Sequence, residues 1–287
     1  MREPCPNSAA HPAVDDAERG ERTRRSEIVR TWLVTITPSR VWPASPRRVH
    51  ISSRGPETSG PRATIGSHDE VYRTSMNDLG RLLDDAARGR FPPADLAVEV
   101  LAPPSGRADA VVAFSGHNVI AAAVDPDEVR AHLPNDDPGA PMSPTFLTWL
   151  GFRLGSESGA LDVVLVATAD EAPGAPPLTR RDDADAHDRV QRALRYRSEV
   201  EVYSDRERSG VIILGRGLAG RREVSIEVDP ERRSGGIGSA LARSALSLVS
   251  PGEHLFAQVS PGNVASLRAF LHAGYRPICS EVLFLRR

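Results

Sequence analysis

Arg233-Ser234-Gly235-Gly236-Ile237-Gly238 have the types and spacing to hold a diphosphate. They follow a segment, REVSIEVDP, in which Val224, Ile226 and Val228 alternate with Glu223, Ser225 and Glu227, the period of a strand. They open an amphipathic stretch, SALARSALSLV, the pattern of a helix. Glycines without Cβ atoms let a phosphate approach the main chain, and the unpaired N–H groups of a helix start donate to it with the dipole's help. Arg233 adds a charge-assisted contact. A plain glycine-rich strand–helix turn is the alternative for the same residues. A nucleotide-binding module is a third reading, weakened because no lysine follows the turn as in a Walker loop.

A second glycine run, Gly215 to Gly220 (GRGLAG), matches G-x-G-x-x-G after a strand. That dinucleotide fingerprint needs a helix to open there, and a strand follows instead. The glycines therefore predict a hairpin turn, where they supply positive φ.

The elements that must position the first loop alternate along the C-terminal part. Helices are predicted at Ala184–Arg195, Ile237–Leu248 and Val264–Ala273. Strands are predicted at Val200–Tyr203, Val211–Leu214, Val224–Val228, Leu255–Val259 and Glu281–Leu285. Alternation of this kind means an α/β protein with a largely parallel or mixed sheet. Upstream, Leu96–Leu101, Ala110–Phe114 and Val119–Val124 read as strands, the last two as a hairpin about Ser115–Asn118. Asp125-Pro126 starts a short helix through Leu133, Ser143-Pro144 a helix through Leu154, and Leu161–Ala167 is a continuous apolar strand. The division expected is residues 76–168 as a small α/β module, 169–182 as a Pro/Ala-rich linker, and 183–287 as the ligand-binding core, its first strand drawn from 161–167. Residues 1–75 are rich in Arg, Ser and Pro without sustained periodicity, so the expectation is disorder or a segment outside the natural protein, with Met76 the start.

Here the chain resembles the GNAT acyltransferase superfamily. That family's strand ending V-x-P, followed by R/Q-x-x-G-x-G/A opening a helix, is matched by Val228, Pro230, Arg233, Gly236 and Gly238. Its second signature, N-x-x-A/S-x-x-x-[YF]-x-x-x-G-[FY], is matched by Asn263, Ser266, Phe270, Gly274 and Tyr275. The resemblance runs from about Leu161 to Arg287. It implies a mixed, largely antiparallel sheet splayed between the strand ending at Val228 and the strand 255–259. Acetyl-CoA would be the co-substrate, its pantetheine on the backbone of Ile226 and Val228. Its diphosphate would lie on Arg233, Ser234, Gly235, Gly236, Ile237, Gly238 and Ser239, and its arm against Asn263, Ser266 and Phe270. The activity implied is acetyl transfer to the amine of a small molecule or peptide.

Such transfer needs a neutral amine, a stabilised oxyanion and a protonated thiolate. The sequence departs from the family at both acid–base positions. Phe270 has no hydroxyl, and neither Gln258 nor Arg222 is a carboxylate. Glu227 and Tyr275 are the substitutes singled out, with Glu223 and Glu281 behind them; Glu223 is read as solvent-facing, and Tyr275 acts only if its ring turns from the core toward the cofactor. Asn263 also reads as a helix N-cap. Neutralising a lysine-type amine at pH 7 costs ~4.6 kcal/mol and an α-amine only ~1. The expectation is a preference for α-amino, aromatic or similarly weakly basic amines. The competing reading is a degenerate relative that binds acyl-CoA without transfer, as a sensor or assembly module.

The remaining composition narrows the class. The chain has 287 residues and net charge −2, which offers no global attraction to nucleic acid or a membrane surface. It contains no lysine, and acids interleave its arginines. Cys5 and Cys279 stand at opposite ends and the histidines, His254 and His272 among them, lack metal spacing, so no metal or disulfide framework is expected. His254 and His272 read as surface or cap residues. No leader or membrane-span pattern is present, and the expected location is the cytoplasm, with a homodimer left open.

Overall fold

The computed structural model describes residues 78–134, 137–169, 177–183, 186–233 and 235–287. The expectations for residues 1–75, and for Ser234, lie outside the described residues. Among the described residues, ten strands form one sheet: β1 (Val98–Leu101), β2 (Ala108–Phe114), β3 (His117–Ala121), β4 (Ser158–Thr168), β5 (Thr179–Arg180), β6 (Ser198–Ser204), β7 (Gly210–Arg216), β8 (Arg222–Val228), β9 (His254–Val259) and β10 (Arg276–Leu285). Their spatial order is β1-β3-β2-β10-β4-β9-β8-β7-β6-β5. The helices are α1 (Asp78–Ala87), α2 (Pro126–Ala131), α3 (Pro144–Leu154), α4 (Asp188–Tyr196), α5 (Ile237–Ser244) and α6 (Val264–His272).

The sheet is mixed and largely antiparallel. Only β1 with β3 and β8 with β9 run parallel. The largely parallel alternative suggested by alternation fails because β6, β7 and β8 follow one another through tight turns, each antiparallel to the last. Helix α5 makes the crossover between the parallel neighbours β8 and β9, while α6 joins β9 to β10 across the intervening β4. Strand β4 supplies the middle of the sheet, paired with β10 on one side and β9 on the other. Its apolar centre, Val164 to Ala167, is buried accordingly.

Helices cover both faces. On one, α5 and α6 pack through Leu241, Ala242 and Phe270 onto Leu165, Ile212, Leu214, Val224 and Ala257. On the same face, α3 sets Phe146 and Leu150 against Val111, Ile120, Val282 and Phe284. On the other, α1 presses Leu79, Leu83 and Ala86 onto Val112, Val164 and Phe256. There α4 places Val190 and Ala193 over Val202, Val211 and Ile213. Local rules start the helices: Ser143 caps α3 with Pro144 at its first position, and Asp125 caps α2 in the same manner. His187 accepts from the Arg189 amide, so α4 begins at Asp188 and not at Ala184. Leu96 has φ of +61°, which delays β1 to Val98. Helix α5 tightens into a 3₁₀ turn at Ala245–Leu248.

The β7–β8 connection is the hairpin the GRGLAG run implies, but its glycines serve different ends. Gly220 has φ of +78°, as does no other glycine of that run. Gly217 is needed for space: a Cβ there would lie 2.2 Å from the carboxyl carbon of Glu223. Gly217→Ala is therefore expected to destabilise the fold by about 2 to 4 kcal/mol, because a buried carboxylate must move. Gly252, with φ of +83° and open space above it, should cost only about 1 kcal/mol on the same change. Urea unfolding of the two variants checks the contrast.

Candidate active site

Strand β8 pairs with β9 only at Glu223↔Phe256 and Val224↔Ala257. Beyond those two residues β8 stays on β7, as far as Val228↔Gly210, while β9 stays on β4. The sheet therefore forks, leaving the facing main-chain edge of residues 225–228 outside a ladder. A cleft of about 410 Å³ occupies the fork, bounded by β4, α4, β8, β9, α6 and Leu283 of β10. Ile226, Glu227, Asn263, Ser266 and Phe270 all line it.

At the end of β8 the glycine loop turns into α5. Gly236 occupies the N-cap with φ of +76°, no side chain caps the turn, and nothing stands within 4 Å of where its Cβ would be. The first amides bonded back to the Gly236 carbonyl are those of Ser239 and Ala240. The loop surface around Gly235 and Gly236 is thus open, as an anion site requires. Gly238 is the close-packed one, its Cβ position 3.3 Å from Ala269 and 3.6 Å from Val228. Larger residues there would push α5 off α6 and β8. Exposed Arg233 makes a long contact, 3.4 Å, from Nε to the Val228 carbonyl.

Asn263 caps α6 by accepting from the Ser266 amide at 3.1 Å, and its side chain still borders the cleft. Phe270 meets Tyr275 edge-on at 4.9 Å. Tyr275 points away from the fork. It is buried, its hydroxyl donates to the Ala242 carbonyl at 3.2 Å, and burial pushes its pKa up. Glu227 borders the cleft but is paired with Arg189 at 2.7 Å, which holds its carboxyl below the usual range. His254 is half-buried, not a surface residue, and Thr168 lies 3.0 Å from its Nδ1.

Glu223 is not solvent-facing, as its alternation with apolar residues suggests, but buried. Glu223 is 1% exposed and lies between two guanidinium groups, Arg197 and Arg221, each at 2.8 Å. Burial alone would raise its pKa, and the charges of Arg221 and Arg197 more than offset that, so it stays ionised. Arg221 continues to Glu281, donating to both its oxygens at 2.9 and 2.7 Å. Gln258 completes the cluster by donating to Glu223 and Glu281, while its amide oxygen accepts from Arg197. Glu281 is therefore committed to structure.

Asp162 of β4 was missed by the sequence reading, because it sits in an apolar strand without motif. It borders the cleft. Burial, and next the charge of Glu281, raise its pKa to about 6. Arg192 and Arg197 also border the cleft, Arg197 at the exit of α4 reaching Ser225 at 3.1 Å. Among the described residues no group of three potential metal ligands exists, and no helix is long and apolar enough to cross a membrane.

No family model matches the chain, and no curated protein does. Solved structures similar to it include a GNAT-family protein from Novosphingobium aromaticivorans, 17% identical over 46% of this chain and 68% of that one, TM-score 0.34. A second is an acetyltransferase from the GNAT family of Colwellia psychrerythraea, 11% identical over 50% of this chain and 63% of the other, TM-score 0.32. A third is a GCN5-related N-acetyltransferase from Kribbella flavida, 15% identical over 48% of this chain and 63% of that one, TM-score 0.31. The likeness extends to about half of this chain and carries nothing about substrate or catalysis.

A carboxyl whose folded pKa stands above its unfolded one weakens the fold when ionised. For Asp162, raised from 3.8 to about 6, solvent screening of a part-exposed group keeps the penalty to about 1 to 2 kcal/mol, complete above pH ~6 and absent below pH ~4. Asp162→Asn is expected to raise the thermal midpoint at pH 8, the gain shrinking as pH falls from 6 to 4. Calorimetric scans across that range check it, and a gain that does not vary with pH would refute the cause.

Proposed function

We propose that this chain is an acyl-CoA-dependent N-acyltransferase of the GNAT kind, moving an acetyl group from acetyl-CoA to an amine. The observation that carries the reading is the fork itself: an unpaired main-chain edge on β8 leads directly into an open, glycine-lined helix start. An extended amide-bearing arm can complete the broken ladder along residues 225–228, as an added strand would. Its diphosphate then meets the first-turn amides of α5 with Arg233 beside them. The reactive thioester lies back along the arm, inside the fork near Phe270, where main-chain N–H groups of β8 can receive the developing oxyanion. Asn263 and Ser266 flank the arm on its far side. The acceptor enters from the α4 side, where Asp188, Arg189, Arg192 and Tyr196 border the cleft.

A second reading has its own support. With Phe270 apolar, Tyr275 bonded to Ala242 and Gln258 locked between two glutamates, neither of the familiar proton-transfer positions is served. A chain that binds acyl-CoA and signals its presence fits those three facts. Thiol release separates the two: turnover of acetyl-CoA with any of a panel of α-amino, aromatic and alkyl amines supports transfer, and tight binding without release supports the sensor.

Both readings share the loop. Arg233→Ala is expected to weaken coenzyme A binding about tenfold. Gly236→Asp, which brings a negative charge to the anion site in a backbone region aspartate tolerates, should weaken it at least about tenfold. Titration calorimetry of the full chain with coenzyme A measures both. Wild type that gives no binding heat overturns the proposal, as does wild-type affinity in the two variants.

A further inference from the structure

We infer that Asp162 is the general base of the cleft, taking the proton that the acceptor nitrogen loses as it is acylated. This rests on the transfer reading above, and deepens it by naming a residue outside both motif-bearing segments.

The register places it. On β4, Asp162 and Val164 share a face, and Val164 pairs with Gln258. Strands β4 and β9 are antiparallel, so two residues back from Val164 along β4 is two residues on from Gln258 along β9. That is the direction in which the fork opens, since the last β8–β9 pair is Val224↔Ala257. Asp162 therefore lies at the open side of the fork, on the face covered by α4, across from Glu281 on β10. Gln258, at a position where some relatives of the resembled family carry a base, is held by Glu223, Glu281 and Arg197. The neighbouring carboxyl that no guanidinium clamps is that of Asp162.

Its surroundings suit it to accept a proton near neutral pH. Glu281 from β10 and Glu223 from β8 add negative potential, and Arg221 and Arg192 partly offset it. Arg197 is spent on Glu223 and Arg189 on Glu227, and Asp188 stands at the α4 end of the cleft. A base with pKa about 6 is ionised at pH 7 and more basic than an ordinary aspartate, the compromise that general base catalysis favours.

The step balances within the site. The neutral nitrogen attacks the thioester carbonyl carbon, forming C–N, and one of its N–H protons passes to Asp162. The tetrahedral adduct collapses, the C–S bond breaks, and the proton travels from Asp162 through solvent to the thiolate. Amide and coenzyme A thiol leave, and Asp162 is again ionised.

The test uses the full chain, acetyl-CoA and an aromatic amine, which stays neutral across the range and keeps its own titration out of the profile. In wild type, kcat/KM should fall below pH ~6 along a single-proton limb. In Asp162→Asn it should drop about 100-fold to 10,000-fold with that limb abolished, while the coenzyme A Kd from calorimetry stays within about twofold. In Asp162→Ala, added formate should restore part of the rate by placing a carboxylate in the vacated space. Asp162→Asn with rate within about threefold of wild type, or with a lowered rate that keeps the acid limb and gains nothing from formate in the alanine variant, overturns the role. A wild type that binds coenzyme A yet releases no thiol with any amine overturns transfer itself and this role with it. That result is told apart from the preceding ones by the silence of the parent protein.

Discussion

Four buried charges hold the middle of this protein, and their arithmetic shapes the rest. Arg197 and Arg221 face Glu223 and Glu281, two positive against two negative, and each is 8% exposed or less. Every carboxylate oxygen of the pair accepts from a guanidinium, and Gln258 bridges them. Taking such ions out of water costs several kcal/mol each, recovered only when geometry and hydrogen bonding are complete. That demand explains details otherwise arbitrary. Gly217 must lack a side chain to leave room for Glu223, and the Leu218 amide donates to the same carboxylate. Together with Gln258 of β9, the quartet joins β8, β9, β10 and the exit of α4, the four walls that meet where the sheet divides. Removing any one member would strand its partners, a loss of about 3 to 5 kcal/mol.

Because the quartet is neutral, a fifth ionisable group beside it has no counter-charge reserved for it. Asp162 is that group. Its raised pKa follows from burial first and the charge of Glu281 next, with no hydrogen bond committed to its charged form. The same logic explains why Glu227 is the poorer proton acceptor, since it has Arg189 to itself. The fork carries a related cost. An unpaired strand edge inside a folded sheet exposes N–H and C=O groups that a ladder would satisfy.

The secondary structure and the open glycine turn at the start of α5 were legible in the sequence because both are written in backbone terms. Glycines at a strand–helix junction, an N-cap at Asn263 and apolar periodicity are local properties, and local properties survive folding. The hairpin at Gly215–Gly220 was legible for the same reason, although Gly217 turned out to serve packing against Glu223, a contact across the turn. The acid–base side was not. Glu223 alternates with apolar residues as a solvent-facing residue would, and only the arrival of Arg197 from α4 and Arg221 from the turn buries it. Tyr275 follows a helix-ending glycine and could have turned either way until the Ala242 carbonyl was found beside its hydroxyl. Asp162 had no signal at all, because its importance comes from three other segments converging on it. The antiparallel majority was legible through the two motifs and the resemblance they carry, and not through alternation of helix and strand, which does not say which strands become neighbours.

These facts separate two questions that a motif joins. Receiving an extended, phosphate-bearing ligand is a matter of main-chain shape, an open strand edge leading to an uncapped helix start, and the β8 edge and the first turn of α5 have that shape whatever the side chains nearby. Moving a proton requires one side chain with a tuned pKa within reach of the cleft, and the fold does not dictate which strand offers it. Here the residues that complete the neutral quartet, Gln258 among them, have been taken for stability. A base at their positions would have to surrender either its charge balance or its hydrogen bonds. A carboxylate one pleat further toward the opening escapes that conflict, at the cost of sitting next to Glu281. The strain of that placement and its basicity are the same quantity seen from folding and from chemistry. The sheet that ties Gln258 into its buried charge cluster leaves Asp162 unclamped where the fork opens.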